Sequence, residues 1–420
     1  MIERSSTSIT PDGLTGMIFC LEGVRGTIVL LNGPMGCKFY HSTTSDFLTV
    51  HPPLYLPVNE YGHKVPVDYN FLNDWFFRQS RVPCTYLDGY DYVYGTVDKV
   101  REALTFLNDN IQFELLAIVN SPGASLIGDQ LQETAADTLP NKHCIILESP
   151  GLSEDFAHGY DSAVRELLRQ VIPRLHPGLR KKVTQHPSVN ILGLSIWNRH
   201  SEGDRNEIRR LLGLCGIDVN CFVACDSTLD ELSRLQEADL NVVIYPDMAP
   251  ETLALLERDG MGEAFMCEKA PIGFENTRAF IEGICQRLDT DASAYYDDEE
   301  RARARAWKKI EGIYQFCGLP TGATFAIEGS KSQVEGYVSF LENYLGMQFL
   351  DGDVSHTDAE LVFGDANTIG ALKAQNKVFC GVEINYPSMG YVDLIPKTHI
   401  GVQGALFLIE QVLSGLMSRV

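Results

Sequence analysis

The sequence predicts an α/β fold built from three Rossmann-like domains with parallel sheets. Short apolar runs that suit buried strands alternate with amphipathic helical segments along the chain. Many of these runs end in a glycine-containing turn that leads into a helix, which is the repeating unit of a parallel sheet. The chain has 420 residues, more than one ordinary hydrophobic core accommodates, so two or three domains are expected.

The first domain is predicted over residues 1–187. Its predicted elements are strands at 27–31, 115–119 and 144–147 and a helix at 161–174. A basic, proline-containing segment at 177–187 is expected to link it to the next domain. The poorly patterned stretch 51–82 is rich in Pro, Tyr, Asn and Phe, and it predicts a loop that covers a site.

The second domain is predicted over residues 188–295 and the third, with its linking helix, over 296–420. The second has predicted strands at 189–194, 216–219 and 241–244, and helices from near Asp204, at 229–237 and at 276–287. The third has a long solvated helix around 297–309, strands at 324–329 and 361–365, and a helix at 401–416. The charge run in the long helix is typical of a solvated face and receives no function.

Composition and charge exclude several classes of protein. The formal charge of −22 disfavours nucleic acid or an anionic membrane as the main partner. The eleven cysteines contain no CxxC pair, which favours a reducing compartment over a disulfide framework. The N-terminus lacks a signal-peptide pattern, and no run approaches the roughly 18 apolar residues of a membrane span. We therefore expect a soluble, cytoplasmic protein.

The most informative segment is residues 33–40, GPMGCKFY, directly after the first predicted strand. It places Cys37 in a tight turn at the carboxyl end of a strand, where open α/β sheets bind their ligands. Gly33 and Gly36 let the backbone approach a bulky group and direct N–H groups toward it. These features suit an iron–sulfur cluster, whereas a buried free cysteine is the ordinary alternative.

Several other motifs are absent from the sequence. There is no G-x-x-x-x-G-K-[ST] phosphate loop and no G-x-G-x-x-G turn between a strand and a helix. There is no H-E-x-x-H motif and no His/Cys cluster with zinc spacing. The ten histidines are dispersed, and only His41 lies near Cys37. ATP hydrolysis by a phosphate loop is therefore not expected of this chain.

A collinear series of segments resembles the nitrogenase component 1-like oxidoreductases. The matching segments are 33–37, 121–129, 148–152, 159–161, 189–194, 210–217, 270–273 and 401–405. The resemblance covers nearly the whole chain and implies three Rossmann-like domains per subunit. It also implies an oligomeric core with an iron–sulfur cluster between subunits, and a separate ATP-dependent iron protein that delivers electrons.

The chain departs from the family pattern of three cluster cysteines per subunit. The first cysteine position falls at residues 11–13 and the third at Pro122, so only Cys37 remains. This single-cysteine pattern is similar to the Z subunit of chlorophyllide reductase, a β-type subunit whose partner supplies three cysteines. The resemblance implies a [4Fe-4S] cluster shared across an interface with a paralogous α-type subunit. The positions of the nitrogenase cofactor ligands fall at Tyr245 and near Tyr391, so no iron–molybdenum-type cofactor is expected.

Three further residues are weaker candidates for metal ligands. Cys84 follows the aromatic stretch and is more simply a structural residue, but it becomes important if a homodimer must supply two ligands per chain. Cys20 lies in an apolar helical stretch and suits core packing. Asp12 precedes a glycine before a helix, where a cap is the ordinary role.

These inferences lead to one main function and two alternatives. The main hypothesis is a subunit of a two-component, iron–sulfur-dependent reductase that acts on an unidentified small molecule, with no catalytic residue assigned. The alternatives are a scaffold for metallocluster assembly and a cluster-free binding or sensing protein. The aromatic residues of 51–77 are expected to line the substrate cleft or to pack as a closed loop.

Overall fold

The structure, a computed structural model, describes residues 11–38, 82–149, 154–175, 186–388 and 393–418. It divides into two compact units. The N-terminal unit comprises the described parts of Pro11–Leu179 and Val223–Arg234, and the C-terminal unit those of Arg180–Phe222 and Leu235–Val420. The domain boundaries expected near residues 187 and 295 stay predictions.

The N-terminal unit contains a parallel three-stranded sheet. Its strands are β1 (Thr27–Asn32), β2 (Leu115–Asn120) and β3 (His143–Glu148), in the order β1-β2-β3. The helices are α1 (Gly13–Glu22), α2 (Asp91–Tyr94), α3 (Val97–Asn110), α4 (Pro122–Ser125), α5 (Leu131–Thr138) and α6 (Phe156–Leu175). The described part of this unit also contains a 3₁₀ turn at Met35–Lys38 and a short helix at Leu229–Ser233.

The sheet is apolar because helices cover both of its faces. Every residue of β1 and β2 is buried, as expected for strands of a parallel sheet that are covered on both sides. On one face Leu104 and Leu107 of α3 and Leu131 of α5 pack against Leu30 and Ile118. The covered sheet leaves its carboxyl edge as the place where functional groups can reach solvent.

Residues 83–85, shortly after the undescribed stretch 39–81, run alongside β1. Leu31 N–H donates to the Pro83 carbonyl (2.8 Å), and Thr85 N–H donates to the Leu31 carbonyl (3.0 Å). Leu31 and Cys84 form a parallel bridge. Cys84 therefore lies at the same edge of the sheet as the turn that follows β1.

The C-terminal unit contains two parallel sheets. The first has β4 (Ser188–Leu192), β5 (Asp218–Phe222), β6 (Leu240–Val243) and β7 (Glu263–Met266) in the order β5-β4-β6-β7. The second has β8 (Thr324–Ile327), β9 (Gln348–Phe349), β10 (Leu361–Gly364) and β11 (Cys380–Glu383) in the order β11-β10-β8-β9. In each sheet, successive connections leave the first strand in opposite directions, as in doubly wound folds.

Helices surround these two sheets. They are α7 (Ser201–Leu214), α8 (Pro250–Arg258), α9 (Gly273–Leu288), α10 (Ser293–Cys317), α11 (Lys331–Asn343), α12 (Ala366–Ala374) and α13 (Gly401–Met417). Shorter 3₁₀ turns occur at Leu235–Glu237, Pro246–Met248 and Val354–His356. The predicted α/β class with parallel sheets is confirmed, and so is the long helix, which spans 25 residues.

No helix among the described residues combines the length and apolarity needed to cross a bilayer.

Candidate functional site at the carboxyl edge of the N-terminal sheet

A ladder of polar side chains crosses the carboxyl edge of the N-terminal sheet. Asn32, at the end of β1, donates its side-chain amide to the Asn120 Oδ1 atom at the end of β2 (2.9 Å). Asn120 in turn donates to Glu148 Oε1 at the end of β3 (2.8 Å), and the Ser125 hydroxyl donates to Glu148 Oε2. Because each strand contributes its last residue, the ladder fixes the base on which the following turns sit.

The turn after β1 presents Cys37 above this base. Gly33 N–H donates to the Thr85 hydroxyl (3.1 Å), and Cys37 N–H donates to the Pro34 carbonyl (3.1 Å). A Cβ on Gly33 would lie 2.8 Å from the Ser121 Oγ atom, so only glycine allows these two turns to approach so closely. A Cβ on Gly36 would meet nothing within 4 Å among the described residues, which leaves open space beside Cys37.

The Cys37 thiol is half-buried and faces three side chains. Burial raises its pKa, and the nearby Asp12 and Cys84 raise it further, whereas a hydrogen bond with the Ser121 hydroxyl acts in the opposite direction. Free Cys37 is therefore a neutral thiol near neutral pH. A bound cation, such as an iron ion, would make the thiolate the stable form.

The pairing of its segment with β1 places Cys84 at this site. It is buried, and its thiol donates to the Gly33 carbonyl (3.1 Å), while Tyr86 N–H donates to its sulfur (3.4 Å). These contacts give Cys84 a structural role in holding the turn. They also place a second sulfur near Cys37, which sequence spacing alone does not reveal.

The other two candidate ligands occupy different positions. Asp12 caps α1, since its Oδ1 atom accepts the Thr15 N–H (2.9 Å) and the Thr15 hydroxyl (2.7 Å). Its charge still acts on Cys37, so the carboxylate faces the same edge. Cys20 is fully buried in α1, and burial raises its pKa well above the ordinary value. The expectation that Cys20 packs in the core fits this burial.

The donor set of the described residues is too small to hold a metal ion by itself. Within residues 11–38, 82–149, 154–175, 186–388 and 393–418, no group of three or more His, Cys, Asp or Glu side chains could bind one ion. The aromatic stretch 51–77, His41 and Tyr391 lie outside the described residues, so the predictions on them stay untested. Tyr245, by contrast, is buried beyond β6.

Exposed aromatic side chains flank the Cys37 turn. Tyr86, Tyr90 and Tyr94 are more than half exposed, at 56, 67 and 71%. Tyr92 hydrogen-bonds the Ser121 side chain and lies close enough to Cys37 for the two groups to affect each other electrostatically. Leu126, after α4, is 89% exposed. We call the group Tyr86, Tyr90, Tyr92, Val93, Tyr94 and Leu126 the aromatic patch.

A second polar cluster, at the carboxyl ends of β4 and β11, was missed by sequence reasoning. The Arg199 guanidinium contacts Asp393 (2.6 Å) and lies 3.8 Å from Glu383, and it donates to the Ser388 hydroxyl (2.9 Å). The backbone joins the two strand ends, because Arg199 N–H donates to the Ile384 carbonyl (3.0 Å). The position of Asn198, Arg199 and His200 shortly after a strand was the only signal in the sequence.

Two neutral histidines complete this second cluster. The rings of His200 and His399 lie 4.5 Å apart, and burial lowers the pKa of both, to about 3 for His399. The Gln411 oxygen accepts from His399 Nε2 (2.7 Å), so His399 Nδ1 accepts from the Tyr337 hydroxyl (2.8 Å). Each polar group named here has a partner, and this arrangement suits a structural network.

Comparisons with known proteins identify the family. Residues 13–351 match the family model described as nitrogenase component 1 type oxidoreductase. Solved structures of nitrogenase Cp1 share the fold: the one at pH 6.5 has a TM-score of 0.71 and 15% identity, and the match covers 100% of this chain and 95% of the other.

Curated relatives include the B subunits of light-independent protochlorophyllide reductase from two organisms. The Synechococcus sp. (strain CC9311) protein is 32% identical over 213 residues, which cover 49% of this chain and 40% of the relative. The Parasynechococcus marenigrum (strain WH8102) protein is 29% identical over 307 residues, which cover 70% and 57%. The chain thus spans about half the length of the curated relatives it matches. On the family match, the chain belongs to the nitrogenase component 1 type oxidoreductases.

Proposed function

We propose that this chain is the β-type subunit of a two-component, nitrogenase-like reductase, and that Cys37 binds one iron of a [4Fe-4S] cluster. In this proposal the cluster is shared with a paralogous α-type subunit that supplies most of the cysteines. An ATP-dependent iron protein delivers the electrons, and the substrate is a small molecule. The observation that best supports it is a half-buried cysteine thiol at a sheet edge, with too few further ligands among the described residues to hold a metal ion.

The residues at this edge fit such a group. A thiol supplies the ligand type that iron–sulfur clusters use, and no described residue lies within 4 Å of a Cβ placed on Gly36, which suits the approach of a bulky ligand. A [4Fe-4S] cluster bound there would carry single electrons at a potential set partly by hydrogen bonds to its sulfur atoms. The incomplete donor set supports a shared site, because one chain supplies too few ligands among its described residues.

The chain's own residues have distinct tasks in this proposal. The Ser121 hydroxyl hydrogen-bonds Cys37 and favours its thiolate form. The Cys84 thiol donates to the Gly33 carbonyl and so fixes the turn, while Asp12 is a carboxylate near Cys37 that can serve as a further ligand. If two identical chains faced each other, Cys84 and Asp12 would be the candidates among the described residues for the second ligand of each chain.

The aromatic patch supports a protein partner at the same edge. The Tyr90 and Tyr94 rings are in contact, with centroids 4.3 Å apart and planes tilted by 33°, and both remain largely exposed. Exposed aromatic clusters of this kind are typical of protein interfaces, whose central residues are enriched in tyrosine. A partner that covers the patch would also shield the half-buried Cys37 thiol from water.

The test is the iron and acid-labile sulfide content of the anaerobically purified complex, with whichever chain co-purifies. In Cys37→Ala the iron content of the complex should fall at least about tenfold, since one of the four thiolate ligands of the cluster is removed. The matched control is Cys144→Ala, in β3, because Cys144 is half-buried as well but lies at the amino end of the same sheet. Its iron content should equal that of the unaltered complex.

The outcomes also separate the alternatives. Iron that survives unchanged in Cys37→Ala would show that Cys37 is not a ligand. A complex without iron in the unaltered protein would favour a cluster-free binding protein. Transfer of iron to another apoprotein, without ATP-dependent turnover of a small molecule, would favour the assembly scaffold.

A further inference from the structure

A separate cavity lies at the carboxyl edge of the second sheet of the C-terminal unit. Its volume is about 320 Å³, within the range of small-ligand pockets. The walls come from the end of β8, the loop after β9 and helix α12. Since β9 and β10 flank β8 on opposite sides, the cavity sits at the topological switch point of the sheet. This is where doubly wound folds bind ligands.

The charged side chains of the wall are acidic. Glu328 and Asp353 line the cavity, and the described residues of the lining include no Lys or Arg. The Thr368 hydroxyl donates to Glu328 Oε2. Burial raises the pKa of Glu328, and the nearby Asp365 and Asp353 raise it further. A positive charge in the cavity would relieve both effects, because it would replace lost hydration and offset the neighbouring carboxylates.

The wall disfavours two other kinds of ligand. The N-terminus of α12 faces the cavity with Thr368, but the Thr368 N–H already donates to Asp365 Oδ1 (2.9 Å). An anion would therefore meet carboxylates rather than free N–H groups. A chelated metal ion is disfavoured as well, since no three potential ligands converge on one point within the described residues.

The walls also contain groups that suit an organic molecule. Ile327, Val354 and Ala371 give apolar surface, while Ser355 and Gln375 add polar groups that can bind a hydroxyl or an amine. The mixed lining is typical of sites for small amphipathic molecules.

The loop after β9 leaves the cavity accessible at Gly352. A Cβ on Gly352 would meet nothing within 4 Å in the part of the chain that the structure describes. Its φ of +136° favours glycine, because a residue with a side chain rarely adopts this conformation. The loop therefore stays open beside the cavity and gives a ligand a way in.

We propose that this cavity binds a small organic ammonium compound, with its N–H groups donating to the Glu328 carboxylate. The aliphatic part of the ligand contacts Ile327, Val354 and Ala371. The proposal does not depend on the function proposed for the Cys37 edge. Its two parts, charge recognition by Glu328 and enclosure by the wall, can be tested separately.

The test is isothermal titration calorimetry of the full chain at pH 8 with 1,4-diaminobutane, and with 1,4-butanediol as the uncharged isostere. The diamine should bind with one-to-one stoichiometry, and the diol at least about tenfold more weakly. Glu328→Gln should weaken diamine binding at least about tenfold, because it keeps the shape but removes the charge. Ala371→Leu should also weaken it, because the larger side chain fills part of the cavity.

The chain has a formal charge of −22, so a control variant is needed to exclude nonspecific attraction of the diamine to the surface. Glu335→Gln removes a half-exposed carboxylate of α11 that pairs with Lys331 and is not part of the cavity wall. It should bind the diamine as the unaltered chain does. The proposal is overturned if the diamine does not bind, if the diol binds equally well, or if Glu328→Gln and Ala371→Leu bind as tightly as the control.

Discussion

Two carboxyl edges of parallel sheets in this protein have opposite chemistry. In the C-terminal unit, Arg199 faces Asp393 and Glu383, and the neighbouring histidines are neutral. In the N-terminal unit, Cys37 has too few neighbouring ligands for a metal ion among the described residues, and the aromatic patch beside it is exposed. The first edge is complete within the chain, which suits a structural role. The second lacks a full set of ligands among the described residues, as expected if a partner chain shares the proposed cluster.

The largest expected effect on stability comes from a substitution in the Arg199 cluster. Arg199→Met should lower the free energy of unfolding by about 3–5 kcal/mol, because it leaves the buried Glu383 carboxylate without its nearby cation, while Asp393 keeps its pair with Lys397 (2.9 Å). Urea unfolding followed by the fluorescence of the buried Trp197 measures this loss. The control is Arg101→Met, whose exposed pair with Asp98 should contribute less than about 0.5 kcal/mol. A loss below about 1 kcal/mol for Arg199→Met would contradict the description of this edge.

The next largest effect on stability concerns the packing of α6 against α1, the helix that Asp12 caps. A Cβ on Gly159, in α6, would lie 1.9 Å from the Gly13 carbonyl of α1. Gly159→Ala should therefore cost about 3 kcal/mol and shift Asp12, the cap of α1, away from Cys37. Gly213→Ala, in α7, is the matched control, since its Cβ meets nothing within 4 Å among the described residues and the change should be neutral or stabilising. Equal stability of the two variants, measured in urea, would refute the close contact.

The buried histidines of the Arg199 cluster also predict that the free energy of unfolding depends on pH. Because burial lowers the pKa of His399 to about 3, the unfolded chain binds a proton below about pH 6.5 that the folded chain excludes. Stability should fall as the pH drops from 6.5 toward 3, by up to about 1.4 kcal/mol per pH unit for this residue. His399→Gln should reduce that slope by one proton, measured from unfolding curves at several pH values.

Buried Asp204 has the opposite effect on the pH dependence of stability, so its contribution must be separated from that of His399. Burial raises the pKa of Asp204 to about 7, so its contribution is present at low pH and is lost as the pH rises from about 4 to 7. Asp204 accepts hydrogen bonds from the Thr398 hydroxyl (2.7 Å) and from His399 N–H (3.1 Å). Only the difference in slope between the unaltered chain and His399→Gln therefore isolates the histidine. An unchanged slope would show that His399 takes up its proton in the folded state.

The smallest expected effect on stability is at Cys37. Cys37→Ala should change the free energy of unfolding by less than about 1 kcal/mol, because the thiol is half-buried. Urea unfolding of the isolated chain measures it. A loss as large as that of Arg199→Met would mean that Cys37 is a structural residue, and the comparison between the two edges would then fail.

The sequence predicted regular elements well where the apolar runs were long. The strands expected at 27–31, 115–119 and 144–147 correspond to β1, β2 and β3. The strands β7, β9 and β11 were missed, because β9 has only two residues and because β7 (EAFM) and β11 (CGVE) have shorter apolar runs than β1, β2 and β3. Helix α6 begins at Phe156, five residues before the predicted start, since Gly159 near its beginning lowers the helix propensity there.

The two edges differ in how far sequence reasoning reached them. Cys37 was accessible, because its turn directly follows the first strand and lies within a few residues of the glycines that shape it. The cluster around Arg199 was not, since Glu383 and Asp393 lie more than 180 positions later in the chain. For Cys84 the sequence suggested only that it could approach this site, because the approach depends on which strand its segment pairs with.

The sequence by itself determined the α/β class, the positions of the main strands in the chain and the location of the cysteine turn. These follow from local periodicity and from the conformations that glycine and proline allow. The tertiary structure alone decided which side chains meet Cys37, which charges neutralise Arg199, and where the cavity beside Glu328 lies. Those features depend on contacts between residues far apart in the chain, and the pairing of strands and packing of helices bring them together.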